Sequence, residues 1–264
     1  MTLIKGISGL RGIVNHGLNE TIISEYAFAF SKIQQNGKIL IARDARPHGE
    51  NFLKTIENVF NHFNVEFNNY DIIPTPTAQF LISQFNYVGG IVITASHNPI
   101  DWNGMKFIDK DGCFLSENKV KELNDESKKN DIIFKNSNID IKDISHKGII
   151  KHINHTCNLS VIDKELILRK KFKVAIDSAN GAASDALPLL LKEFGCTVNE
   201  INCTPNGLPN RGMEPLNENL NEIADFVKDN DIDIGFATDP DGDRLAIIDD
   251  TGKPIGEELT LPLC

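Results

Sequence analysis

A polar segment that directly follows an apolar run contains a serine and a histidine that could take part in chemistry. Residues 91–99 read Ile-Val-Ile-Thr-Ala-Ser-His-Asn-Pro, which places Ser96 and His97 just after four β-favouring residues. Because Pro99 cannot donate to a sheet ladder, we predict a buried strand over residues 90–94 that ends before Ser96. Ligands of open α/β sheets collect at the carboxyl ends of strands. Ser96 is therefore a candidate nucleophile, although a serine here could also only cap a turn.

A second segment, at residues 239–244, reads Asp-Pro-Asp-Gly-Asp-Arg and lies between predicted strands at 233–238 and 245–249. Its alternating carboxylates, from Asp239, Asp241 and Asp243, suit a hard cation such as Mg²⁺, which prefers carboxylate, phosphate and water oxygens. Asp-Pro-Asp-Gly is also favourable for a β-turn, and the two roles are compatible. A turn alone does not require the third aspartate, because clustered carboxylates repel one another unless a cation lies among them.

Two other uses of these aspartates fit less well. An EF-hand loop that began at Asp239 would need glycine at its sixth position and glutamate at its twelfth, where this chain has Arg244 and Asp250. A phosphatase of the haloacid-dehalogenase type would use Asp239 as its nucleophile. The rest of such a domain should lie downstream, and residues 245–264 are too short for it.

Together the two segments resemble the α-D-phosphohexomutase superfamily, whose members interconvert 1- and 6-phosphosugars. Other segments that resemble this superfamily extend over essentially the whole chain and lie at residues 7–12, 42–47, 74–77, 103–106, 177–182 and 212–215. The resemblance implies that Ser96 becomes phosphorylated and passes its phosphoryl group to the sugar through a bisphosphate intermediate. A sugar bisphosphate is then the expected activator. It also implies that the three aspartates bind Mg²⁺ together with an oxygen of the phosphorylated Ser96.

The resemblance assigns supporting roles to four further residues. Arg11 and Arg244 match arginines near the phosphate, and a guanidinium fork can bind phosphate oxygens in a bidentate way. Lys106 and His97 match residues that move protons to and from the reacting sugar hydroxyl. A lysine acts as a base only where its surroundings lower its pKa. We interpret residues 43–46, Arg-Asp-Ala-Arg, as an ion-paired network that holds a loop together.

Alternating apolar strands and amphipathic helices predict an α/β fold of two similar domains, with mixed sheets sandwiched by helices. We expect the domains at residues 1–150 and 151–264, with a boundary or surface linker near residues 135–157. The predicted strands are 38–42, 65–70, 90–94, 173–177, 197–201 and 233–238, and the predicted helices are 50–63, one after Pro76, 183–194 and 219–229. The apolar side of the helix at 50–63 should contain Phe52, Leu53, Ile56, Val59, Phe60 and Phe63.

The composition fits a soluble intracellular enzyme. The chain has 264 residues and a formal net charge of −10, which argues against binding to nucleic acid or to an anionic membrane. A phosphosugar is itself anionic, so its site must be locally positive. We expect a cytoplasmic protein, because the sequence shows no secretory signal, no membrane-spanning run and no C-x-x-C pair among its five cysteines.

The resemblance also sets limits on function. Members of the superfamily have four domains, and this chain resembles the first two. Domains III and IV are therefore expected in a full-length form, and we expect little sustained mutase activity from this chain alone. Residues 1–9, 99–103 and 107–115 resemble phosphoglucosamine mutases. That branch often has Ala-Leu-Lys where this chain has Gly-Met-Lys at 104–106, which is more similar to phosphomannomutase/phosphoglucomutase. Besides these two kinds of mutase, a third possibility is a non-catalytic fragment that binds Mg²⁺ or a phosphosugar.

Overall fold

Two mixed β-sheets, each with helices packed against it, form the computed structural model. The structure describes residues 3–34, 37–129, 144–256 and 259–263. It divides into two units, Met1–Gly148 and Ile149–Cys264, close to the predicted domain boundary. The α/β class with two mixed sheets confirms the predicted fold class.

The first unit contains a six-stranded sheet of order β1-β2-β6-β5-β3-β4. Its strands are β1 (Leu3–Gly6), β2 (Gly9–Ile13), β3 (Lys38–Arg43), β4 (Phe67–Ile72), β5 (Tyr87–Ile93) and β6 (Trp102–Asp109). Its helices are α1 (Glu20–Ile33), α2 (Gly49–His62), α3 (Thr75–Gln84) and α4 (Glu117–Glu126). Strand β3 runs parallel to both β4 and β5, and the other neighbouring pairs are antiparallel. The parallel strands β3 and β5 therefore end at the same edge of the sheet.

Side chains on both faces of the first sheet are buried by helices. On one face, Ile39 and Ile41 of β3 and Ile91 and Ile93 of β5 join a core formed with α1, α2 and α4. Helix α3 packs against β5. Burial on both faces explains why the central strands are apolar without strict alternation.

Helix α2 has the apolar face that its sequence predicts, with one exception. The five predicted residues from Phe52 to Phe60 are buried in the core. Phe63 was predicted on the same face but is 37% exposed. The helix ends at His62, so Phe63 caps the helix and no longer follows its periodicity.

The second unit contains a four-stranded sheet of order β10-β9-β7-β8. Its strands are β7 (Lys173–Asp177), β8 (Thr197–Ile201), β9 (Ile234–Thr238) and β10 (Leu245–Ile248). The helices that follow α4 in the chain are α5 (Ser145–Cys157), α6 (Lys164–Lys170), α7 (Ala183–Glu193), α8 (Asn221–Asp229) and α9 (Thr260–Leu263), and a 3-10 turn spans Asn217–Asn219. Strand β7 is parallel to β8 and β9, and β10 is antiparallel to β9. Ile223 and Val227 of α8 pack on this sheet.

The predicted elements agree closely with the structure outside one region. Strands β7 and β8 have the predicted bounds, whereas β4 begins at Phe67 instead of residue 65. The predicted boundary or surface linker near residues 135–157 includes the division between the two units, but from Ser145 onward this stretch forms helix α5 and is not a linker. Ile149 and Ile153 lie one helical turn apart and are buried, so α5 has an apolar face. The first part of the predicted linker, at 135–143, lies outside the described residues.

No helix within the described ranges combines the length and the apolar composition that crossing a membrane requires.

Glu57 of α2 provides a test of the packing between α2 and β4. Burial raises the pKa of Glu57, although Asn69 Nδ2 of β4 donates a hydrogen bond to its carboxylate. A carboxyl group with a raised folded-state pKa destabilises the fold when it ionises, so stability is lost as the pH rises through that pKa. We expect Glu57→Gln to increase the free energy of unfolding near neutral pH, with a gain that vanishes at about pH 4. Urea denaturation at a series of pH values measures this.

Glu50→Gln in the same helix is a control with the opposite sign. The hydrogen bond and the charge of Lys54 lower the pKa of Glu50, so its ionised form contributes stability that is lost as the pH falls. This control should show no gain at neutral pH. A gain for Glu57→Gln that is the same at every pH would contradict the ionisation argument.

Candidate active site

Ser96 lies at the end of β5 in a strained backbone conformation. The strand ends at Ile93, and Ser96 follows after two buried residues with only 3% of its own surface exposed. Its φ of +51° is in the left-handed region, which costs a non-glycine residue about 1–2 kcal/mol. Such strain persists only where the surrounding structure enforces it.

Arg46 is the residue that holds the serine loop, which we define as residues 94–102. Only 1% of its surface is exposed. Its two terminal nitrogens donate hydrogen bonds of 2.6–3.1 Å to the carbonyl oxygens of Ser96, Asn98, Pro99 and Trp102. Its Nε donates to Asp44 Oδ2 at 3.2 Å. All five donors of the guanidinium are thus used inside the protein. This confirms that residues 43–46 form a network that holds a loop.

Three of the other predicted site residues are associated with this loop or its sheet. His97 Nδ1 lies 3.4 Å from Ser96 Oγ. Arg11 of β2 donates from Nη1 to Asn98 Oδ1 at 3.0 Å. Lys106 of β6 is buried, and its Nζ lies 5.7 Å from the centre of the Phe114 ring.

The register of β2 and β6 relates Arg11 to Lys106. Arg11 is paired with Gly104, two residues before Lys106. Because paired residues share a face and side chains alternate along a strand, Arg11 and Lys106 lie on the same face of the sheet. The first unit thus brings together Ser96, His97 and Arg11 around the serine loop and places Lys106 on the same sheet.

Gly104 is a close-contact position in this arrangement. A Cβ atom there would lie 2.3 Å from the carbonyl oxygen of Leu10 and 2.8 Å from that of Thr94. An alanine at this position would require the backbone to move. The Gly-Met-Lys sequence at 104–106 is therefore matched to the local backbone of this chain.

The metal loop, defined as residues 239–244, connects β9 to β10. Asp239 and Asp241 are buried, Asp243 is exposed, and one oxygen from each carboxylate lies within 4.8 Å of the others. Asp239 Oδ1 accepts hydrogen bonds of 3.1 Å from the backbone N–H groups of Asp243 and Arg244. Gly242 has a φ of +72°, as a tight turn requires. The segment is both a turn and a cluster of carboxylates.

The carboxylates of the metal loop fit Mg²⁺ in chemistry and in spacing. Opposite ligands of an octahedral Mg²⁺ are about 4.2 Å apart, since each bond is about 2.1 Å long. The three carboxylate oxygens lie within 4.8 Å of one another, close enough to be ligands of one ion. Two buried aspartates also gain from a cation that offsets their charge.

The structure adds a second buried ion pair that the sequence did not reveal. Arg211 Nε donates to Asp177 Oδ2 at 3.0 Å, and Arg211 Nη2 donates to the carbonyl oxygen of Thr238 at 2.7 Å. Both side chains of the pair are almost fully buried. Thr238 directly precedes Asp239, so Arg211 holds the strand end from which the metal loop begins. Residues 177–182 and 212–215 resemble the superfamily, and Arg211 lies just outside them.

The segment between β7 and α7 also contacts the metal loop directly. The backbone N–H of Ala182 donates to the carbonyl oxygen of Pro240 at 2.8 Å. A Cβ atom on Gly181 would lie 2.3 Å from that same oxygen. Arg244, at the other end of the loop, forms an ion pair with Glu214.

Cys203 lies near this region but is unsuited to act as a nucleophile. Burial raises the pKa of its thiol, and its Sγ lies 3.1 Å from the carbonyl oxygen of Ile201. A raised pKa favours the unreactive thiol at neutral pH. The four cysteines within the described residues are free.

Comparison with known families gives matches over most of the chain. Residues 2–133 match the profile of phosphoglucomutase/phosphomannomutase, alpha/beta/alpha domain I, and residues 149–252 match that of domain II. A phosphoglucosamine/phosphogalactosamine mutase from Sulfurisphaera tokodaii is 35% identical over 253 residues, which cover 94% of this chain and 55% of that protein. A phosphoglucomutase/phosphomannomutase from Thermococcus kodakarensis is 32% identical over 265 residues, which cover 98% of this chain and 58% of the relative.

A solved structure has the same fold. It is a phosphoglucomutase/phosphomannomutase family protein from Burkholderia thailandensis, with a TM-score of 0.74 at 22% identity, over 94% of this chain and 55% of that one. This chain therefore spans somewhat more than half the length of the relatives it matches.

Gly181→Ala tests the contact between the segment that joins β7 to α7 and the metal loop. The atoms that its Cβ would approach all belong to the backbone of Pro240, so the metal loop must move. We expect a loss of about 1–3 kcal/mol in the free energy of unfolding, as for other overpacked sites, measured by urea denaturation.

Gly6→Ala is the control, because a Cβ atom at Gly6 has nothing within 4 Å. It should change the free energy of unfolding by less than about 0.5 kcal/mol. Equal effects of the two substitutions would show that the contact with Pro240 does not restrict the loop.

Proposed function

The chain belongs to the phosphoglucomutase/phosphomannomutase family, and on this premise we propose that it provides the phosphoserine and Mg²⁺-binding parts of a phosphohexomutase active site. The observation that carries the proposal is Ser96, a buried serine with a fixed backbone in the loop that follows β5. The three carboxylates of the metal loop support it. The reaction class is the transfer of a phosphoryl group between Ser96 and a hexose phosphate.

In the proposed reaction, the bond between phosphorus and Ser96 Oγ breaks while a bond forms between phosphorus and a sugar oxygen. The proton of that sugar hydroxyl passes to a base on the protein, and Ser96 Oγ gains a proton as it leaves phosphorus, which it gives up again when it is rephosphorylated. His97 is one candidate, since its Nδ1 lies 3.4 Å from Ser96 Oγ, and buried Lys106 is the other. The sugar bisphosphate formed in this step then returns its other phosphoryl group to Ser96, which completes the interconversion of the 1- and 6-phosphates.

The remaining proposed roles neutralise the negative charge on phosphate oxygens. Asp239, Asp241 and Asp243 would hold Mg²⁺, which neutralises charge on the phosphoryl oxygens when it is bound. Arg11 and Arg244 would bind phosphate oxygens through their guanidinium groups. This local positive charge is needed because the whole chain carries a net charge of −10.

Glucosamine phosphate is the substrate we propose first. The relative from Sulfurisphaera tokodaii, a phosphoglucosamine/phosphogalactosamine mutase, supports it. A phosphomannomutase/phosphoglucomutase activity is the second candidate, because the relative with that name has a similar identity and because Gly104 agrees better with that branch.

Phosphorylation of Ser96 is tested by the mass of the intact protein. After incubation with glucose 1,6-bisphosphate and Mg²⁺, the wild type should gain the mass of one phosphoryl group, and Ser96→Ala should gain none. Ser83→Ala, which alters an exposed serine of α3, should behave like the wild type. A wild type that gains no mass, or a Ser96→Ala variant that still gains it, would refute the role of Ser96.

Binding of Mg²⁺ is tested by its effect on unfolding. A ligand that binds only the folded chain stabilises it, by about 2.7 kcal/mol at one hundred times its dissociation constant. Mg²⁺ should therefore raise the urea midpoint of the wild type, and a chelator should reverse the effect. Asp241→Asn should abolish the response, whereas the exposed neighbour variant Asp250→Asn should retain it. An Asp241→Asn variant that responds as the wild type does would place the cation elsewhere.

A further inference from the structure

Both backbone polar groups of Ser96 are held by side chains. Its N–H donates to Thr94 Oγ1 at 2.9 Å, and its carbonyl oxygen accepts from Arg46 Nη2 at 2.7 Å. Thr94 Oγ1 in turn donates to Asp44 Oδ2 at 2.6 Å, and Arg46 Nε donates to the same oxygen at 3.2 Å. The hydrogen bonds form a closed ring that runs from Ser96 through Thr94, Asp44 and Arg46 back to Ser96. We call Thr94, Asp44 and Arg46 the positioning triad.

The triad also holds the chain beyond Ser96. Arg46 binds the carbonyl oxygens of Asn98, Pro99 and Trp102 in addition to that of Ser96. A planar guanidinium can serve several acceptors in fixed directions, whereas an ammonium group has three donors around a single nitrogen. A lysine at position 46 could keep the charge next to Asp44, but it could not retain all the contacts to the loop.

The closed ring of hydrogen bonds holds Ser96 in its strained backbone conformation, and this affects the position of its hydroxyl group. A serine with a φ of +51° returns to an unstrained region when its backbone is released, and its Cβ and Oγ then move. Phosphoryl transfer depends mainly on positioning, and a displacement of about 1 Å can reduce a rate by about a hundredfold. Holding the Ser96 backbone thus fixes the Cβ atom and the set of positions that the reacting Oγ can reach.

We propose that Arg46, acting with Asp44 and Thr94, is a positioning residue that fixes Ser96 Oγ for phosphoryl transfer. The proposal rests on the proposed function of Ser96. None of the three side chains needs to touch the sugar. They act through the backbone of Ser96 and not through its hydroxyl group.

Two substitutions disturb the triad with little change in volume, and each has a matched control. Arg46→Lys keeps the charge and removes the guanidinium, and Thr94→Val replaces the hydroxyl with a methyl group. Arg169→Lys makes the same change at an exposed arginine of α6, outside the network around Ser96. Thr55→Val alters a buried threonine of α2 whose Oγ1 donates to the carbonyl oxygen of Asn51.

The first measurement is the initial rate of Ser96 phosphorylation by glucose 1,6-bisphosphate and Mg²⁺, followed by intact mass and corrected for the folded fraction. We expect Arg46→Lys and Thr94→Val to lower this rate by about tenfold or more, and both controls to stay within about twofold of the wild type. Folded triad variants that phosphorylate at the wild-type rate would overturn the proposal.

The second measurement does not require any reaction. Amide hydrogen exchange should show a protected Ser96 N–H in the wild type and in both controls, and faster exchange in Arg46→Lys and Thr94→Val. Unchanged protection in the triad variants would refute the positioning role even if their rates fell. If the wild type takes up no phosphate, the proposed function fails and the role in transfer fails with it, while exchange still decides whether the triad holds Ser96.

Discussion

A buried arginine paired with a buried aspartate supports the candidate site in each unit. In the first unit Arg46 binds Asp44 and four loop carbonyls, and in the second unit Arg211 binds Asp177 and the carbonyl oxygen of Thr238. Irregular backbone near a core needs hydrogen-bond partners, and a charged guanidinium supplies several at once. The carboxylate is what makes the buried arginine tolerable. Removing one member of such a buried pair costs about 3–5 kcal/mol, because an uncompensated charge remains.

The position of each pair follows from the parallel strands of its sheet. Strands β3 and β5 are parallel and in a register that pairs Arg43 with Ile93, so Asp44 and Thr94 follow at the same edge. Strands β7 and β9 are parallel too, and Asp177 is paired with Ala237, directly before Thr238. In both units an aspartate at the end of one parallel strand thus lies beside the loop that leaves the next. The two halves share a way of holding loops although the chemistry of the loops differs.

The charges close to the proposed site differ from the net charge of the chain. The chain is acidic overall, and two of the three carboxylates in the metal loop are buried. A cation is the natural counterpart of such a cluster, and it would also attract phosphate oxygens. Arg244, the last residue of the metal loop, is ion-paired with Glu214, which fixes a guanidinium group at the end of an acidic segment. At short range, a bound cation and Arg244 would contribute more to the electrostatic field than the distant charges of the chain. A proposed anionic substrate is therefore compatible with an acidic protein.

The sequence by itself determined the features that depend on local pattern. Apolar runs and helical spacing were enough to predict the bounds of β7 and β8 and the buried face of α2, and residue types were enough to single out Ser96 and the three aspartates. Two features depended on the tertiary structure: the role of Arg211 and the closed ring around Ser96. In each, one side chain contacts residues that are distant in sequence, as Arg46 contacts Ser96 and Trp102. No spacing rule encodes such contacts, because they exist only once the parallel strands have brought their ends to one edge of the sheet.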